Sequence, residues 1–108
     1  MYQGTTPAVT YSISGLDVSA MKPFVSFKNG TEVLTKTGDA VVMEYDSVAQ
    51  VTTVICYLTQ TETLAMTPGS TKTQIRFVDA DGQAYATEKA TLRVDDVIYK
   101  SVIVYEEE

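Results

Sequence analysis

The 108-residue chain contains no histidine and one cysteine, Cys56. Without an imidazole there is no Ser-His-Asp catalysis, and Cys56 has no neighbouring His to convert it into a thiolate nucleophile. A single cysteine also excludes an intrachain disulfide, a Cys-based zinc site and a CxxC redox motif. Cys56 lies in the apolar run Val54-Ile55-Cys56-Tyr57-Leu58, where a free thiol packs as a small hydrophobe. The carboxylates Glu44, Asp46, Asp95 and Asp96 could supply an acid/base pair for glycoside hydrolysis, but so small a domain offers little room for a substrate cleft. Asp79-Ala80-Asp81-Gly82 begins like a calcium loop. Its glycine stands fourth rather than sixth, however, and Ala90 occupies the place of the closing glutamate, so the four residues read as a hairpin turn. Gly4-Thr5-Thr6-Pro7 lacks the second glycine, the lysine and the following helix of a phosphate loop. Asn29-Gly30-Thr31 fits a glycosylation acceptor, but a tight β-turn accounts for it. The expectation is a non-enzymatic protein with no catalytic residue, no metal site and no cofactor.

Binding is what the remaining residues can do. Seven tyrosines and no tryptophan are spread over the chain, and tyrosine offers large contact area with a polar tip. Tyr2 precedes the first strand signal. Residues 97–105 follow the Asp95-Asp96 break and carry Val97, Ile98, Val102, Ile103 and Val104 beside two tyrosines. A lone domain of this size cannot cover so much apolar surface. The candidate interface is therefore Tyr2, Tyr85, Val97, Ile98, Tyr99, Val102, Ile103 and Tyr105. A net charge of −6 has the wrong sign for holding a phosphate backbone, so nucleic acid is not an expected partner. The terminal Glu106-Glu107-Glu108 reads as a solvated tail. No apolar run approaches a membrane span and none has the layout of a signal peptide, so neither a membrane nor export is expected.

The elements that must position these residues are strands. Val, Ile and Thr make up nearly a third of the chain, and short alternating segments recur between frequent turn signals, the pattern of an all-β sandwich or barrel. The spacing predicts a single immunoglobulin-like antiparallel β-sandwich over residues 1–108, with about seven to eight strands and short helical turns near residues 17–21 and 60–65. Residues 24–28 and 31–36 should pair around a two-residue Asn29-Gly30 turn, Lys28 facing Thr31 and Val25 facing Leu34, with Val25, Phe27 and Leu34 on the core face. That turn makes Gly30, rather than Gly38, the glycine whose replacement by valine should cost more. Residues 41–45 and 51–58 should form a second antiparallel pair, with Val54, Cys56 and Leu58 inward. Thr59-Gln60-Thr61-Glu62 matches a capping box, after which Leu64 should plug one end of the sandwich. Residues 72–79 turn Thr73, Ile75 and Phe77 to one face. Residues 83–94 should place Ala84, Ala86, Ala90, Leu92 and Val94 on one face together with Glu88, which requires Glu88 to lie beyond the core or a bulge to shift the register.

Several of these segments resemble a family. Gly4-Thr5-Thr6-Pro7, the Met21-Lys22 lead into a Phe/Val hairpin, Leu58-Thr59-Gln60-Thr61-Glu62-Thr63-Leu64, Gln74-Ile75-Arg76 and Asp95-Asp96-Val97-Ile98 are similar, in this order, to small prophage-encoded proteins of Gram-positive bacteria that look like the β-sandwich N-terminal domain of phage baseplate upper proteins. The resemblance spans nearly the whole chain and rests on cap, turn and strand residues. It implies a tail or baseplate-associated structural role in the virion or, during assembly, in the host cytoplasm. The implied partners are other tail or baseplate proteins or further copies of the chain as a homo-oligomer. An immunoglobulin-like adhesive or carbohydrate-binding module of a bacterial surface protein is the alternative expectation.

Overall fold

Alternation along a strand commits every second side chain to one face, and two stacked sheets can then bury both inner faces. The computed structural model, which describes residues 1–15 and 17–105, is an antiparallel β-sandwich. Its elements, besides a 3-10 turn at Gly38–Ala40, are β1 (Ala8–Ser14), β2 (Lys22–Asn29), β3 (Glu32–Lys36), β4 (Val41–Asp46), β5 (Val51–Tyr57), α1 (Gln60–Leu64), β6 (Gly69–Val78), β7 (Ala84–Ala86) and β8 (Ala90–Val94). One sheet runs β1-β5-β4; in the other the order is β3-β2-β6, with both β7 and β8 paired to β6.

The inner face of the smaller sheet is built from Val9, Tyr11 and Ile13, paired with Cys56, Val54 and Thr52, which pair in turn with Val41, Met43 and Tyr45. Against it stand Val25, Phe27, Ile75, Phe77 and Val94 of the larger sheet, all buried in one hydrophobic cluster with Val54 and Cys56. Fully burying each such side chain stabilises the fold by about 1.5–3 kcal/mol. A hydrogen bond between the Tyr11 hydroxyl and Thr73 Oγ1 crosses the sandwich. Val54, Cys56 and Leu58 point inward, as do Thr73, Ile75 and Phe77. The capping box is complete: Glu62 N–H donates to Thr59 Oγ1 at 3.2 Å and Thr59 N–H to Glu62 Oε1 at 2.8 Å.

Five local expectations are corrected. The β2–β3 turn falls one residue later than Asn29-Gly30, because Asn29 pairs with Glu32, Lys28 with Val33 and Phe27 with Leu34. Gly30, at φ 64°, takes the first central position, and Thr31 is not at positive φ, as in a type II′ turn. Asn29 is withdrawn into the strand because its side chain holds the lead into β6. Asn29 Nδ2 donates to Thr67 O and to Thr71 Oγ1, both at 2.9 Å, and Thr67 N–H donates to Asn29 Oδ1 at 2.7 Å. Moving the turn by one residue changes the opposite partner by two, so Val25, Phe27 and Leu34 still share the inner face. A buried, fully engaged Asn29 amide also removes the glycosylation reading. Gly38 proves to be at positive φ as well, 70°, which removes the expected contrast with Gly30.

The segment 83–94 is two strands. β7 pairs with β6 in the register Arg76↔Ala86, whereas β8 pairs in the register Thr73↔Ala90, so one extra residue is accommodated between them, a bulge. Thr87 fixes it, its N–H donating to Ile75 O and its Oγ1 accepting from Ile75 N–H. Glu88 is exposed there. The shift turns Tyr85, opposite Phe77, to the inner side and Ala84 and Ala86 outward, away from the face of Ala90, Leu92 and Val94.

No helix forms over residues 17–21. Asp17 Oδ1 accepts from Ser19 N–H and Oγ, Met21 N–H reaches Val18 O, and the chain enters β2 at Lys22. Leu16, which precedes the expected turn, and Glu106–Glu108, read as a tail, lie outside the described residues. The α1 residue that is fully buried is Thr63, its hydroxyl donating to Thr5 O; Leu64 is half-buried instead of plugging the sandwich end. Helix geometry explains the exchange, since the side chain one residue away points about 100° around the axis.

Candidate docking surface

The two ends of the chain are brought together by the backbone. Tyr2 and Asp95 form a parallel bridge, with Gln3 N–H donating to Asp95 O at 2.9 Å and Asp95 N–H to Met1 O at 2.7 Å. Residues 4–6 then cross α1, where Gly4 at φ 72° would, with a Cβ, meet Leu64 Cδ2 at 3.3 Å. This is a position for glycine on both conformational and steric grounds.

Past β8 the chain continues as an arm without regular structure, held by two amide side chains. Gln3 is buried, its Nε2 donating to Met66 O while its Oε1 accepts from Lys100 Nζ at 2.7 Å. Gln60, the first residue of α1, pairs with the Ile103 backbone in both directions: Nε2 to Ile103 O and Ile103 N–H to Oε1, each 2.8 Å. A primary amide offers the same donor and acceptor as a peptide group, so Gln60 stands in for a strand partner.

Between and beyond these two clips the arm presents its apolar side chains to solvent. Ile98 is fully exposed; Tyr99, Val102, Ile103, Val104 and Tyr105 are exposed as well, and Tyr2 stands 58% exposed beside the bridge. Val97 is half-buried and serves as the root of the arm. The structure thus gathers Tyr2, Ile98, Tyr99, Val102, Ile103 and Tyr105 on one region around the joined termini. Tyr85 is placed elsewhere, on β7 at the Phe77 end of β6, while the arm leaves from Val94 opposite Gly69 at the other end. The clipping roles of Gln3 and Gln60 have no sequence signature, because isolated amides carry no periodic signal.

Behind the arm, α1 is tied to the edge of the larger sheet. Lys36 Nζ donates to Tyr57 O at 2.8 Å and to Glu62 Oε1 at 2.5 Å. Burial pushes the Glu62 carboxyl up, but the hydrogen bonds from Lys36 and the Thr59 backbone outweigh it and hold the group below its ordinary value. Burial pushes the Cys56 thiol up to about 11, with nearby Lys36 opposing and Glu62 assisting. A thiol in that state is no nucleophile at neutral pH. Among the described residues no group of three or more Cys, Asp or Glu side chains is placed to hold a metal ion, and no helix is long and apolar enough to cross a membrane. No protein-family model matches the sequence, and no curated protein matches it.

Proposed function

We propose that the chain is a non-enzymatic assembly module of a phage or prophage tail or baseplate, which docks through its C-terminal arm onto a neighbouring structural protein. The observation that carries this reading is the arm itself. A run of large apolar side chains is clipped in place by Gln3 and Gln60 while remaining exposed, an arrangement that costs solvation unless a partner covers it. Pre-positioning by the two clips lowers the ordering entropy that a free tail would lose on docking. The phage context comes from the resemblance of the cap, turn and strand motifs.

Co-expression with the tail proteins encoded beside it tests the proposal. The intact chain should co-purify with one of them, and the double substitution Ile98→Asp, Val104→Asp should abolish this while leaving the fold intact, since both side chains stand in solvent. Failure of the intact chain to co-purify with any of them would refute the tail reading.

A further inference from the structure

The outer faces of the two sheets carry opposite charge. In the larger sheet the register places Lys22, Lys28, Lys72, Arg76 and Arg93 on one outer surface. All five are exposed, in a protein whose formal net charge is −6. No Asp or Glu occupies an outward position on β2, β3, β6, β7 or β8. Lys28 sits directly opposite Lys72, and like charges in that position work against the sheet. With Lys89 from the bulge they line one groove of about 330 Å³. Arg93 alone among the five has an ion-pair partner among the described residues, Asp95 at 2.9 Å.

The outer face of β1-β5-β4 has the reverse character. Glu44 and Asp46 project from it beside Val42, Ile55 and Tyr57, and no Lys or Arg occupies any of its strands. The basic face likewise interleaves its charges with Phe24, Val33 and Val78.

We infer that these two faces bind one another between copies of this chain, so that the basic face of one copy stacks on the acidic face of the next and the lysine groove receives the Glu44 carboxylate. Such a contact is heterologous: each copy keeps one face free for another, and copies add head to tail into a ring or a filament. The inference rests on the assembly reading but uses a surface distinct from the arm. Opposite potentials on flat faces speed the encounter, and wrong pairings of like faces are suppressed. Screening lengths fall from about 10 Å at 0.1 M salt to about 3 Å at 1 M, so the stack should weaken with salt.

Charge exchange between two variants tests this. The first, Lys28→Glu with Lys72→Glu and Arg76→Glu, has acids on both faces; the second, Ser12→Lys with Glu44→Lys, both facing outward opposite Thr53 of β5, makes the acidic face basic. Sedimentation velocity at low salt should show the wild type associating, each variant alone weakened by at least about tenfold, and an equimolar mixture of the two recovering association. Circular dichroism of each variant, and of Lys28→Glu alone, which turns a like-charged pair into an attractive one, checks the fold. If the variants associate as well as the wild type, assembly runs through the arm and the stacking inference fails while the docking proposal stands. A mixture that does not recover overturns it too, as does a monomeric wild type whose basic face binds an anionic polymer such as heparin.

Discussion

Replacing Asn29 separates the observed β2–β3 register from the alternative in which Asn29 and Gly30 form the turn. In a type I′ turn Asn29 would be at positive φ, and Asn29→Gly would be neutral or mildly stabilising. In the structure Asn29 is a strand residue 8% exposed, with three side-chain hydrogen bonds to residues 67 and 71. Thr67 is exposed, so water can replace its two bonds, and their loss costs about 1 kcal/mol each at most. Thr71 is fully buried, and leaving its hydroxyl without this partner costs about 1–3 kcal/mol. Asn29→Ala should therefore lower the unfolding free energy by about 2–4 kcal/mol, and Asn29→Gly by somewhat more, because glycine weakens a strand interior. Urea titration followed by circular dichroism gives both values, with an unchanged slope showing that the unfolded state is the same. Asn29→Asp adds a pH signature. Its carboxylate would face Thr67 O where an N–H now donates, and burial with that repulsion raises the folded pKa above the unfolded one. The variant should be destabilised near neutral pH and recover as pH falls through the raised value. A cost for Asn29→Gly below about 0.5 kcal/mol, within the range of ordinary surface substitutions, would refute the register and its link to β6.

Cys56 should resist thiol reagents at pH 8 in the native protein and react fully in denaturant, because it is buried and its thiol is raised to about 11; rapid native labelling would reverse the facing of β5. For Glu62 the folded pKa lies below the ordinary 4.5, so its contribution is fully present above that value and is lost as pH falls through the depressed one. Glu62→Gln should flatten this acid limb in stability measurements between pH 5 and pH 2, pH limits set by about the range of carboxylate titration, and an unchanged limb would show that the Lys36 pair is idle. Gly30→Val and Gly38→Val should destabilise to a similar degree, since both glycines are at positive φ with open space around them; a large difference in thermal midpoints would mean that one of the two backbones is misplaced.

What the sequence made legible was local or strictly periodic. The inward facing of Val54, Cys56 and Leu58, and of Thr73, Ile75 and Phe77, followed from alternation because one face of each strand is plainly more apolar. The Thr59 to Glu62 box needs only four consecutive residues. Two of the misreadings share a different cause, a decision taken by residues distant in sequence. Asn29 leaves the turn for partners 38 and 42 residues away, and the Thr87 bulge is set by the backbone of Ile75, 12 residues earlier. In the candidate surface, the exposed apolar run of residues 98–105 was readable as an uncovered segment. Its clips were not, because Gln3 and Gln60 meet Lys100 and Ile103 only once the sandwich has formed. Tyr85 was grouped with that run by residue type alone, and the strand order carries it to the far end of β6.

Sedimentation equilibrium of the intact chain beside the Ile98→Asp, Val104→Asp variant, with and without a tail protein encoded beside it, shows whether the arm docks a partner. A complex with that protein is expected for the intact chain and its loss for the variant, with identical circular dichroism for both. Equal uptake of that protein by the intact chain and the variant, or an intact chain that takes up no partner at any concentration, would contradict it.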